Sequence, residues 1–527
     1  MRLPTLVFTV LLTLSPAASS RELIRGNGPE PATLDVHRCQ EVACGNLLRD
    51  LYEGLVTEGA DGAIIAGAAR SWRVSDDGRQ WQFRLRDELC WSNGEALTAQ
   101  DFVASLRRAV TPQTAAPMAQ LLRPIANASA ILRGEAAPES LGVTAVDAHT
   151  LHINLDEPVP LLDRLALPIA MPVYLPAIAV HGVEHTRPGR LVGNGAYRLS
   201  GWTPHASVEM EKNTFFHAAT DVAIARVRYV VTEDAGSELQ RFLAGDVHIT
   251  ETVPPKPLPV LRAQFGERLR ISPYVGSFWF GLNLTREPFR DNPALREALV
   301  LAVDRDILTR HITGLGEQPA FGIVPPGTRG HAAPVLPMAQ LTPAARVARA
   351  RERYAAAGYS ADRPAQLEIR YNTSTLHRKL ALAVAAMWRQ TLGAQVRLRN
   401  EEWKVFVQNR RARVITQVFR GGWIADVNDP LDFLATFSGP DNPLNTTGFA
   451  DPEFDAALTR AALLPDGTER TALLTAAEAR VLSAHAVVPL YFYSSKHLVD
   501  DRLEGFAGNP LDHHATRWMR WRDGEAP

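Results

Sequence analysis

The chain has 527 residues, 46% of them hydrophobic and 21% charged, which suits a soluble protein of two to four domains with substantial cores. Its 56 basic and 57 acidic residues leave a formal charge of -1, so no global field argues for nucleic acid or an anionic membrane as a partner. The three cysteines, Cys39, Cys44 and Cys90, have no matching histidine spacing, which argues against a zinc site.

Residues 1–20 read as a secretion signal, with Arg2 as the basic region, Leu3 to Leu14 as the apolar core and Ala17-Ala18-Ser19-Ser20 as the cleavage site. No cysteine follows that would carry a lipid anchor. Cys39 and Cys44 are close enough to bridge if their segment is a loop, but not if it is a regular helix. The odd count leaves at least one thiol over. "RELIRGN" starts a strand and "NLLRDLYEGLV" a helix. "SWRVSDDGRQWQFRLR" alternates about Asp77-Gly78, the pattern of a hairpin. An Asn93-Gly94 turn then leads to a helix with Thr98 and Asp101 in capping-box spacing. "VTAVDAHTLHINLDEP" is a second hairpin, and "AYRLSGW" and "VRYVVTE" are further strands.

From about residue 277 the pattern changes. A long amphipathic helix is predicted from Pro293 through "NPALREALVLAVDRDILTRHI". "AQLEIRYN", "STLHRKLALAVAAMWRQTLG" and "AQVRLRN" read as strand, helix and strand, the helix showing Leu376, Leu380, Val384 and Met387 on one face and ending at Gly393. In "RGGWIADVNDPLDFLATF", Asp429 and Asp432 make a capping-box-like start to a helix at Pro430. Asp426 lies outside that helix and has no local task.

No catalytic residues can be assigned: there is no G-x-S-x-G elbow, no phosphate-cradling loop and no H-E-x-x-H. Asp512-His513-His514 reads as a surface pair of histidines rather than a metal site, and "DVNDPLD" lacks the glycine and glutamate of a calcium loop. A binding protein without metal or cofactor is expected.

"LIRGNGPEPATLDVHR", "WSNGEALTAQDFV", "VGNGAYRLSGW", "LNLTREPFRDNPALREALVLAVDRDIL", "YNTSTLHRKLALAVAAMW", "NEEWKVF" and "GWIADVNDPLDFL" together resemble the periplasmic oligopeptide-binding proteins that serve ABC importers, in family 5 of the extracellular solute-binding proteins. The resemblance runs over nearly all of the chain after residue 20. It implies an α/β, three-domain clamshell: lobe I from 21–52, 178–276 and 495–527, an inserted accessory domain from 53–177, and lobe II from 277–494. It also implies a monomer in the periplasm that seals a short peptide in extended form and delivers it to a membrane permease.

By the same resemblance Asp426 receives the peptide α-ammonium, Trp403 and Trp423 line side-chain pockets, and Tyr493 stands beside the first ligand residue. Arg420 and His377 meet the peptide carboxylate as cations, and Val42 completes the peptide-binding set. Gly276 and Ile424 stand where close relatives carry a disulfide. Gln40 and the Glu251-Thr252 pair depart from residues expected at the ligand. The rivals are a specialised murein-peptide receptor, a haem or nickel-chelate binder of the same fold, and a periplasmic enzyme or chaperone.

Overall fold

The computed structural model describes residues 21–522 except 255, 335 and 441, so the expected signal at 1–20 lies outside the described residues. A four-stranded sheet runs in the order Leu23–Gly26, Arg226–Val230, Ser207–Lys212 and Tyr197–Thr203, its first pair parallel and the others antiparallel. Its core draws on Leu23 to Tyr52, Met171 to Ile249 and Val499 to Met519, so three stretches of chain close one apolar cluster. Between the first two, the hairpins Ala69–Val74/Gln80–Leu85 and Val143–Asp147/Thr150–Asn154 form a second, antiparallel sheet. The helix Ala99–Val110 covers that sheet, started by the expected Thr98–Asp101 capping box.

The remaining body is a six-stranded sheet in the order Gln318–Pro319, Val487–Leu498, Leu269–Leu282, Val418–Ile424, Gln366–Asn372 and Gln395–Glu401. Its last two strands are parallel and joined through the helix Thr375–Leu392, the expected βαβ unit. Leu269–Leu282 and Val487–Leu498 pair over most of their length, but the register slips between Pro273 and Ser277 and again at Phe278/Trp279. These bulges bend the ribbon where it enters the C-terminal body.

Two sequence expectations need correction. The helix from Pro293 ends at Leu301, and Asp304 caps a new turn whose side chain accepts from Ile307 N–H. A capping aspartate competes with helix continuation there. In Thr375–Leu392 the buried face is Leu380, Ala381, Val384, Ala385, Trp388 and Leu392, while Leu376 is exposed. Trp388, whose indole donates to Leu299 C=O at 2.9 Å, turns the helix away from the Leu376 stripe. Cys39 and Cys44 do form a disulfide, from the turn before the helix Val42–Leu51 into its first turn, and Cys90 is free.

Candidate functional site

Asp426 follows the strand Val418–Ile424, just before the helix Pro430–Leu434. On one side that strand pairs with Leu269–Leu282 from Val418 to Ile424. On its other side Gln366–Asn372 pairs only with Val418 and Phe419. The far edge from Arg420 to Ile424 therefore has no partner strand among the described residues, and it offers backbone groups for β-augmentation.

The Asp426 carboxylate has no hydrogen bond or ion pair among the described residues, and burial raises its pKa. It lines a cavity of about 460 Å³ whose other walls include Val42, Asn46, Arg49, Tyr274 and Asp512. Val42, at the start of its helix, is 58% exposed into this space.

Asp432 does something the sequence did not show. Instead of reaching back to the helix start, its Oδ2 accepts from Trp423 Nε1 at 2.7 Å and from Asp426 N–H at 3.0 Å. The carboxylate thus fixes both the indole and the backbone of Asp426. Burial, and next the charge of Asp426, push its pKa up to about 7. Asp429 is the helix N-cap, accepting from Leu431 N–H at 2.8 Å, and it also holds the buried Arg470 at 2.6 Å.

A second cluster, outside the lining of that cavity, is cationic. Arg420 lies over the Phe278 ring at 5.2 Å, and the His377 ring packs on the same phenylalanine at 5.4 Å. Arg410, on the helix Trp403–Ala412, donates to Arg420 C=O at 3.4 Å. Nε of Arg410 and Nε of Arg420 are buried without a partner, and no carboxylate among the described residues meets either guanidinium. Burial and then the Arg420 charge lower Arg410 to about 10. His377 is not the expected cation: burial and then Arg420 hold it at about 4, so it is neutral near pH 7. Its Nδ1–H donates to Asn372 Oδ1 at 2.9 Å. Arg410 was missed from sequence, where "NRRAR" looks like any solvated helix end; only the return of Arg420 beneath it distinguishes it.

Tyr493 packs edge-on to Tyr491 at 5.3 Å and lines a 220 Å³ hollow that shares Tyr274 with the Asp426 cavity. A Cβ on Gly276 would come within 2.7 Å of the Tyr493 ring, and Gly276 is the register partner of Ile424. Here an aromatic ring lies over the cross-strand pair. Trp403 does not join the Asp426 cavity; it is 49% exposed and lines a separate hollow with Val407 and Arg411. Glu251 accepts from Asn46 Nδ2 at 3.3 Å, and burial raises it to about 7. His513 and His514 are no surface pair. Both are half-buried, His513 bonded to Glu58 at 2.8 Å and His514 to Asp512 at 2.8 Å.

The profile of the bacterial extracellular solute-binding proteins, family 5, matches residues 63–445. The chain belongs to that family. It is 36% identical over 507 residues to the periplasmic oligopeptide-binding protein OppA of Escherichia coli, covering 95% of this chain and 93% of that one. A solved structure of the periplasmic murein tripeptide binding protein MppA, in its unliganded open form, superposes with a TM-score of 0.84 at 35% identity, over 96% of this chain and 98% of that one. Haemophilus influenzae OppA in complex with RPPGFSPFR superposes at 0.79 with 31% identity, over 95% of this chain and 99% of that one. The fold is that of the family's α/β multi-domain clamshell. Such relatives are binding proteins, and no helix among the described residues is long and apolar enough to cross a membrane.

Proposed function

We propose that the protein is the periplasmic receptor of an ABC importer for short peptides, held extended between two lobes and handed to a membrane permease. The observation that carries this reading is the partnerless Asp426 carboxylate at the end of an open strand edge. An enclosed ammonium needs a fixed counter-charge, and a strand edge supplies backbone pairing without regard to side chains. The cluster of Arg420 and Arg410, which meets no carboxylate among the described residues, supplies the opposite sign for a carboxylate. His377 would meet that carboxylate by gaining a proton as the two approach.

Lobe I is assigned to 21–52, 178–276 and 495–527, the accessory unit to 53–177 and lobe II to 277–494. The apolar clusters support this division, although they change over between Ala170 and Met171, ahead of residue 177. Export through a cleaved signal is part of the same proposal.

The test is calorimetric titration with a panel of two- to five-residue peptides, each with a free and an acetylated N-terminus. Acetylation should weaken binding far more than exchanging any one side chain. A panel in which one sequence binds and its scrambled forms do not would favour the specialised murein-peptide receptor, to which the fold is equally suited.

A further inference from the structure

His497, at the end of the strand Val487–Leu498, meets Asp512 and His514 of the C-terminal segment. One donor atom from each lies within 4.8 Å of the others. His497 Nε2 is 3.0 Å and His514 Nε2 2.8 Å from the same oxygen, Asp512 Oδ1. The other nitrogen of His497, Nδ1, lies 2.7 Å from Thr250 C=O, which can only accept, so Nδ1 carries a proton. That leaves Nε2 directed at a carboxylate. A bare lone pair there is repulsive, so either a second proton or a metal ion must stand between the two groups. His514 Nε2 faces the same oxygen, to which its neutral Nε2–H tautomer donates; with the proton on Nδ1 instead, Nε2 is free to ligate.

We propose that His497 Nε2, Asp512 Oδ1 and His514 Nε2 bind one divalent transition cation of the zinc class. Two imidazoles and a carboxylate are a donor set that such an ion takes. The backbone carbonyl behind His497 is the outer partner that fixes a ligating histidine's tautomer. His514 is held by stacking on Phe506, ring centroids 4.0 Å apart, and Ser495 Oγ donates to Asp512 Oδ1 at 2.5 Å. A tetrahedral ion would hold its donors about 3.3 Å apart, so each imidazole must draw back from Asp512 Oδ1 by a few tenths of an ångström to admit it. Asp512 also lines the Asp426 cavity. The site ties a strand of the hinge ribbon to the cleft wall, and it needs no peptide to form.

Tag-free, chelator-treated protein should bind one Zn²⁺ per chain by calorimetric titration, with a rise in melting temperature. His514→Gln keeps a donor toward Asp512 but removes the ligand. It should weaken binding by more than the about 10–100-fold that follows loss of an outer partner. Asp512→Asn should do the same, while the exposed control His205→Ala should bind as the parent does. X-ray absorption at the zinc edge of the parent protein reads the donor set without any variant, so a variant that fails to fold does not decide the matter. Two imidazoles and one carboxylate are expected. An absence of binding, equal binding by His514→Gln, or a shell of oxygens alone would overturn the site.

Discussion

Asp426 and Asp429 are three residues apart and do different work. Removing one partner of a buried charge pair costs about 2–5 kcal/mol in binding, or roughly thirty- to several-thousand-fold in affinity. Asp426→Ala should therefore lose that much affinity for a free-amine peptide and hardly change the weak binding of its acetylated form. Asp429→Ala should leave affinity nearly intact but lower stability well beyond the loss of a helix cap, because it strands Arg470. The cost should lie toward the low end of about 3–5 kcal/mol, since Asp466 remains 3.3 Å from that guanidinium. Thermal unfolding beside calorimetric titration separates the two; equal affinity for Asp426→Ala and parent would show that the wrong carboxylate has been chosen.

Asp432 adds a pH test. Its folded pKa of about 7 lies above the ordinary aspartate value, so its contribution to stability is present below about pH 4 and is lost as pH rises through 7. Asp432→Asn keeps an acceptor for Trp423 and Asp426 N–H but cannot ionise. Its melting temperature should match the parent's near about pH 4, exceed it increasingly as pH rises to about 7, and keep a constant lead above that. A gap independent of pH would remove the charge argument.

At the scale of elements, the strand Val418–Ile424 is shaped by what its neighbours lack. Gly276, opposite Ile424, leaves room for the Tyr493 ring, and a methyl there must move an aromatic group held by Tyr491. Gly276→Ala should cost about 1–3 kcal/mol by overpacking, read as a lower melting temperature, and should weaken peptides with a bulky first residue more than those with a small one. No loss of stability would mean that Tyr493 is free to swing.

Strands, hairpins and the βαβ unit were legible because their signals are local: alternation, turn dipeptides and caps. The break at Asp304 was not, because an apolar period continues across it while the aspartate caps a new turn. The role proposed for Asp426 was legible only through the resemblance, and Arg410 and the Asp432 brace not at all. Each depends on a contact made when separate elements meet, which no window of sequence contains. The tautomer of His377 likewise depends on Asn372 before its helix and on Arg420 from another strand.

On the scale of the whole molecule, a peptide enclosed between lobes must enter by their separation, with bending at the bulged ribbon near Pro273–Ser277 and Phe492–Ser494. Away from that ribbon, contacts at Val427 and Arg329 join the unit around the hairpins to the C-terminal body. Val427, next to Asp426, packs in the cluster of Trp81, Phe102 and Leu161. Arg329 forms an ion pair with Asp163, lies 3.3 Å from Asp466, and donates its backbone N–H to Asn428 Oδ1 at 3.0 Å. The loop that carries Asp426 thus packs on the facing unit through Val427 and is held within its own body by Arg329, which pairs with Asp163 of that unit. Asp163 is nearly buried and has no other ion-pair partner among the described residues, so Arg329→Ala would leave a stranded charge at this junction. Mutations of residues that touch no ligand shift such coupling by about 0.5–2 kcal/mol, or about two- to thirty-fold in affinity. Peptide affinity of Arg329→Ala should fall within that range, chiefly through faster release. Small-angle scattering should show the parent contracting when a saturating peptide is added, and the variant reaching the same bound radius from a larger free one. If both proteins keep one radius with and without bound peptide, the lobes do not close; if only the affinity is unchanged, the Arg329 bridge does not hold them.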